Sequence, residues 1–180
     1  MSYIYFTADL HFNHTNILKF CNRPFKNVDE MNDKLIANWN SRVKPYDTVF
    51  HVGDFCFKGG VEGGKTNFRY WESYLNGRII HVLGNHDYRN GLRGIIKTIT
   101  INISNKTAFV KHDPNITKDQ LPLNCDFMLC GHVHEKWKIK TDSEIGVPII
   151  NVGCDVWNFR PVRLDELINC FQKIEKYKDG

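Results

Sequence analysis

Five stretches that read as β-strands each run straight into residues able to bind a metal ion, and this recurrence restricts the available folds more than any other feature. Residues 3–8 run into Asp9, residues 48–52 into Gly53-Asp54, and residues 78–83 into Gly84-Asn85-His86-Asp87. Residues 107–111 run into His112, and residues 126–130 into Gly131-His132-Val133-His134. In open α/β sheets, ligands bind in the crevice at the carboxyl ends of the strands, because the loops there leave a rigid scaffold together. Glycine precedes three of the five, and it permits a sharp departure and close backbone approach. Polar side chains collected at strand ends are costly to bury without a partner, so the fold is expected to bring them to one place.

The rest of the chain supplies the helices such a sheet needs. Over residues 28–43, Val28, Met31, Leu35, Ile36, Trp39 and Val43 fall on one helical face, with Asp29 as the expected cap and Pro45 closing the segment. A second helix is expected over 65–75, stopped by Asn76-Gly77 in a left-handed cap. A last helix is expected over 164–177, with Leu164, Leu167, Ile168, Phe171 and Ile174 inward. Residues 98–103 and 107–111 alternate as an antiparallel hairpin, and 147–152 reads as a further strand. Strands alternating with helices and then strand-rich sequence indicate an α/β layered domain spanning residues 1–180, although periodicity leaves the sheet order open.

Composition narrows the setting. Of the 180 residues, 42% are hydrophobic, enough to fill a core and to exclude the signature of disorder. Charged residues interrupt every apolar run well short of a membrane span, and the N-terminus carries no basic leader, so a cytoplasmic protein without a membrane partner is expected. The six cysteines show no Cys-x-x-Cys spacing and read as reduced thiols. A net charge of +4 suits an anionic substrate but falls short of a nucleic-acid-binding stripe.

Pooling the strand-end loops gives two carboxylates, Asp9 and Asp54, one amide oxygen, Asn85, and four imidazoles, His11, His112, His132 and His134. Asp9 and His11, like His132 and His134, are two residues apart, a spacing that puts side chains on one face of an extended chain. Oxygen and nitrogen donors without a thiolate suit Mn, Fe, Ni or Zn. Seven donors exceed one tetrahedral zinc site, so two divalent ions sharing a carboxylate are expected. Two such ions with two carboxylates keep about +2 for hydroxide and phosphate oxygen, which favours phosphate chemistry.

These motifs, Asp9-x-His11, Gly53-Asp54, Gly84-Asn85-His86-Asp87, His112 and Gly131-His132-x-His134, resemble in order and spacing those of the calcineurin-like metallophosphoesterases. The later run from Asn151 to Pro161 is similar to that of small prokaryotic or phage members. The resemblance implies two mixed β-sheets packed together and flanked by helices, a four-layer sandwich. It also implies roles: Asp9, His11 and His134 on a first metal, Asn85, His112 and His132 on a second, Asp54 bridging, and His86 as general acid facing the phosphate. The family's protein Ser/Thr phosphatase branch follows Gly-Asp with Val-Asp-Arg-Gly and carries Glu after Gly-Asn-His. Here Phe55-Cys56-Phe57-Lys58 and Asp87 stand instead, which argues against phosphoprotein substrates. The fourth motif is usually Gly-His or Ser-His, and Lys111-His112 changes the charge beside the second metal.

The expected activity is therefore hydrolysis of phosphate esters, phosphodiesters first, with nucleotides or nucleic acid among the candidate substrates and manganese as the favoured metal. A hydroxide held between the ions would attack phosphorus in line, and His86 would protonate the leaving alkoxide. Two alternatives stand beside it: a non-catalytic metal-binding scaffold on the same fold, and a structural zinc module of Cys130, His132 and His134. Outside the donor set, His51 and His81 read as packed, hydrogen-bonded strand residues, and His14 as a candidate for the cleft. Arg23, Arg89, Arg93 and Arg160 read as solvated surface, Trp157 and Phe159 as core, and Asp87 as a hydrogen-bonding support for the metal loop.

Overall fold

A computed structural model describes residues 1–57, 67–87, 90, 92, 96–103, 105–141 and 144–178, with side chains in the final helix described to Lys173. Arg89 and Arg93, the start of the helix expected at residue 65, and the side chain of Ile174 lie outside the described residues. The first sheet combines β1 (Ile4–Thr7), β2 (Thr48–Val52), β3 (Arg78–Val82) and β9 (Val162–Arg163). Its order is β3-β2-β1-β9, with the first three parallel and β9 antiparallel to β1. The second sheet combines β4 (Thr98–Ile103), β5 (Lys106–Lys111), β6 (Phe127–Cys130), β7 (Ile139–Thr141) and β8 (Pro148–Asn151). Its order is β4-β5-β6-β8-β7, where β5, β6 and β8 are parallel and the two edge strands antiparallel.

Alternation along the strands sets what lies between and outside the sheets. Phe6, Phe50, Val52 and Val82 of the first sheet meet Ala108, Val110, Phe127, Leu129 and Ile150 of the second. Leu167 and Phe171 of α4 (Leu164–Lys178) close that cluster. Tyr5 and Val49 point the other way, into a cluster with Ile17 of α1 (Ile17–Phe20), Met31, Leu35 and Trp39 of α2 (Val28–Arg42) and Trp71 of α3 (Phe68–Glu72). The outer face of the second sheet carries Phe109, Met128, Cys130 and Ile149, covered by Ile145, Leu121 and Trp137. Two mixed sheets flanked by helices are thus present, as the motifs imply.

Local details depart from expectation. Asn27, not Asp29, caps α2: its Oδ1 accepts the Glu30 N–H at 2.9 Å, and Asp29 lies in the first turn. Helix α3 is one short segment capped by Asn67, and Ser73 to Leu75 form a turn that ends at Gly77 with φ of 91°. Strands β7 and β9 have three and two residues, too short for periodicity to mark.

Candidate metal centre

The parallel strands of both sheets send their carboxyl ends to one edge, and backbone bonds join the first loop to the second and the fourth to the fifth. The Asp9 N–H donates to Gly53 O at 2.9 Å, the His11 N–H to Asp54 O at 3.0 Å, and the Gly131 N–H to His112 O at 3.0 Å. Asp9, His11, Asp54, His132 and His134 all have positive φ, between 49° and 71°. Side chains at Asp9/His11 and His132/His134 therefore converge through left-handed turns, not through the extended-strand alternation expected from their spacing. Such backbone costs of the order of 1–3 kcal/mol per residue and persists only where the surroundings over-determine it.

Asp87 is a large part of that constraint. Buried completely, it accepts the Gly84 and Asp54 N–H groups on Oδ2, at 2.9 and 2.8 Å, and the Phe55 N–H and Asn90 Nδ2 on Oδ1. This is the support expected of it. Glycine is required where the loops touch: a Cβ on Gly84 would stand 2.2 Å from Asp54 Oδ1, and one on Gly131 2.7 Å from Asp9 Oδ2.

The seven expected donors gather in two groups. In Asp9, His11 and His134, and again in Asp54, His112 and His132, one ligand atom per residue lies within 4.8 Å of the others. Asn85 joins the second group, its Oδ1 being 3.0 Å from both His112 Nε2 and His132 Nδ1. Asp54 Oδ2 lies 3.6 Å from His11 Nε2 and 3.3 Å from His112 Nε2, between the groups. The donor set fits divalent cations, and one orphan atom points the same way: His11 Nε2 is buried and has no hydrogen-bond partner among the described residues. His86 stands at the exposed rim, its N–H donating to Asp54 Oδ1 at 2.8 Å and its ring 5.3 Å from that of His11.

Surrounding groups orient the imidazoles. Val52 O lies 2.8 Å from His112 Nδ1, which directs Nε2 into the site. Asp155 Oδ2 lies 3.3 Å from His134 Nδ1 and performs the same service. His14 does face the cleft, with Nδ1 3.3 Å from His11 Nδ1 and its ring stacked on Phe57.

Arg23 overturns the surface assignment. It is 5% exposed, forks onto Asp155 at 2.8 and 2.9 Å, and donates to Asp9 O at 2.6 Å and Leu10 O at 3.0 Å. Asp155, to which the sequence reading assigned no role, lies within the run from Asn151 to Pro161 that resembles the family, and this was its one available signal. His51 is a second correction: it is wholly buried, but neither ring nitrogen has a hydrogen-bond partner among the described residues. His81 meets Glu72 at 3.3 Å through Nε2, while its Nδ1 is unpartnered. Arg160 is exposed, and Trp157 and Phe159 pack against the clusters on the two faces of the first sheet, as expected of core residues. Cys130 packs on the outer face of the second sheet, burial pushes its thiol pKa up, and it joins neither donor group, so the geometry does not support the Cys-His-His zinc module.

The electrostatics follow from this packing. Burial pushes the Asp9 carboxyl up to about 6, against the lowering effect of His112 and His134. Burial opposes the Asp54 charge too, but the hydrogen bond and charge of His112, with His11 and the His86 amide, hold its carboxyl far below the usual range. Burial disfavours the His112 cation, yet Asp54 and Asp9 outweigh it and raise its pKa to about 9. His134 is raised to about 10 against burial by hydrogen bonds to Asp155 and Cys21 and the charge of Asp9. His11 and His132 are lowered, chiefly by burial. Both raised imidazoles must lose a proton to bind a metal, so metal uptake should release protons.

Known proteins share this arrangement of chain. A model of the calcineurin-like phosphoesterase superfamily domain matches residues 3–161. The uncharacterized protein MJ1445 of Methanocaldococcus jannaschii is 34% identical over 178 residues, covering 96% of this chain and 93% of that protein. The Gene 66 protein of Mycobacterium phage L5 is 36% identical over 208 aligned positions, covering 98% of this chain and 97% of its own. A solved structure, the protein of unknown function AQ665 from Aquifex aeolicus, shares the fold with a TM-score of 0.72 at 24% identity, covering 94% of this chain and 100% of that one.

Proposed function

The chain belongs to the calcineurin-like phosphoesterase superfamily, and on that footing we propose that it hydrolyses phosphate esters, phosphodiesters first, at a centre of two divalent metal ions. The single observation behind this reading is Asp54 Oδ2, one carboxylate oxygen within 3.6 Å of imidazole nitrogens from both donor groups. Asp9, His11 and His134 would hold one ion and Asn85, His112 and His132 the other, with Asp54 between them. When bound, the ions supply a water made reactive at neutral pH and neutralise charge on the phosphoryl oxygens.

The chain's own groups do the rest. His86, at the exposed rim, would give a proton to the departing alkoxide, and its N–H donates to Asp54 Oδ1. His14, Asp155 and the Val52 carbonyl fix which imidazole nitrogens face inward. A metal-binding scaffold without activity would use the same seven donors but would have no use for His86 at the exposed rim. Manganese is the first metal to try. Six cysteines without a Cys-x-x-Cys spacing fit a reducing, cytoplasmic setting. Among the described residues, no helix is long and apolar enough to cross a membrane. The same proposal takes residues 1–180 as one domain.

Apo protein loaded in turn with Mn, Fe, Ni and Zn, then assayed on bis(4-nitrophenyl) phosphate and 4-nitrophenyl phosphate, tests the reading. Two ions per chain, faster diester hydrolysis and loss of activity on chelation are expected. Activity surviving exhaustive chelation, or one ion per chain without hydrolysis, overturns it. His86→Ala should retain both ions and lose about 10²–10⁴-fold of turnover; unchanged turnover would remove His86 from the chemistry.

A further inference from the structure

A cleft of about 220 Å³ opens beside the second donor group and nowhere touches the first. Asn85, His112 and His132 form its inner wall, and Lys97, Lys111 and Asp113 its outer one. Lys111 is the last residue of β5 and pairs across the ladder with Thr98, the neighbour of Lys97, so two ammonium groups come from adjoining strands. Among the described residues neither lysine forms an ion pair; the one contact of either is Lys111 Nζ donating to Asn115 O at 3.5 Å. Asp113, the third charge there, is engaged locally, with Oδ1 accepting the Asn115 N–H at 2.8 Å.

We infer that this cleft is a subsite for a further phosphate, so that the preferred substrates are phosphodiesters carrying a second phosphate beside the scissile one, as in phosphorylated nucleotides and oligonucleotides. The inference rests on the phosphoesterase reading above. Two ammonium groups against the one carboxylate of Asp113 leave the wall net positive, and a concave charged wall concentrates an anion of opposite sign. Lysine binds phosphate as a mobile point charge without demanding a fixed fork geometry. A terminal phosphate carries between one and two negative charges at neutral pH, a match for two ammonium groups where a carboxylate would need one. The scissile phosphate at the donor groups and its neighbour in the cleft would lie along one substrate chain, since the cleft shares its inner wall with the second group.

Manganese-loaded wild type, K97M/K111M and K97R/K111R are compared on the thymidine dinucleotide TpT and its 5′-phosphorylated form pTpT. Bis(4-nitrophenyl) phosphate serves as a probe with one phosphate. Wild type should show a KM for pTpT about tenfold below that for TpT, the size of one charge-assisted contact. K97M/K111M should raise the pTpT KM about tenfold, while kcat and the TpT constants stay within twofold; the arginine pair should restore it. Raising salt should weaken pTpT binding more in wild type than in K97M/K111M. Should the double variant lose metal through the neighbouring His112, K97M alone decides the matter by the same ratio.

An unchanged pTpT-to-TpT ratio, or an equal loss on both dinucleotides at full metal content, overturns the subsite. Wild type that cleaves bis(4-nitrophenyl) phosphate but neither dinucleotide overturns it too, leaving the phosphoesterase reading intact. Wild type that cleaves none of the three strikes down that reading and the subsite with it.

Discussion

The two donor groups share a carboxylate but are built in opposite ways. Around Asp9, His11 and His134 the protein is closed: Arg23 and Asp155 form a buried ion pair, Arg23 also clasps the Asp9 and Leu10 carbonyls, and His14 braces His11. Around Asn85, His112 and His132 it is open, with a charged cleft on one side and His132 exposed. One half acts as an anchor whose geometry is set by a buried network, and the other faces whatever enters.

Removing the shared group should collapse the distinction. Asp54→Asn is expected to weaken both metals together and to cut hydrolysis by about 10²–10³-fold, read by metal analysis alongside steady-state rates. One ion lost with the other retained at full affinity would show that the groups are independent. The closed half should carry stability that the open half does not. Arg23→Met leaves Asp155 buried without its counter-charge and should destabilise the fold by about 3–5 kcal/mol in denaturant titration. Lys97→Met on the exposed side should stay within about 0.5 kcal/mol of wild type. Equal effects would erase the contrast.

A milder probe separates metal affinity from folding. Asp155→Asn keeps the shape of the side chain but weakens the partner of His134 Nδ1, and should lower affinity at the first group by about 10–100-fold, leaving the second unchanged. Stepwise metal titration reads the two sites apart. The smallest effect concerns the shared strand β2 beneath both groups. Burial, helped by the neighbouring His81, holds the His51 pKa well below its ordinary value. The unfolded chain therefore takes up a proton below ~6.5 that the folded chain refuses, and His51 costs stability as pH falls below that value, at most about 1.4 kcal/mol per pH unit. His51→Phe should flatten the fall in melting temperature between pH 7.5 and pH 5; an unaltered slope would mean that His51 protonates in the folded state.

The gathering of the seven donor residues was legible from strand patterns that end in polar residues, and the bonding of Asp87 to the neighbouring loop from its place beside them, whereas the part given to His86 came from the family resemblance alone. The hairpin over residues 98–111 and the inward face of α4 were equally legible, since periodicity is a local property. Arg23 and His51 were misread for one reason. Whether a polar side chain is solvated or enclosed depends on what packs over it from elsewhere, and Arg23 is enclosed by Asp155, 132 residues away. The cap of α2 was misplaced by two residues because Asn27 and Asp29 are both competent, and only the path of the chain into the helix chooses between them.

The linear order of residues settled which atoms are available for the chemistry: carboxylates, an amide and imidazoles, each waiting at the end of a strand. It left open how two mixed sheets would order their strands and why side chains two apart should meet. Folding decided both, by bringing parallel strand ends to one edge and holding five donor residues in left-handed turns under a buried aspartate. Side-chain chemistry travels with each residue, whereas burial, backbone strain and the pairing of charges arise only between segments far apart in the chain.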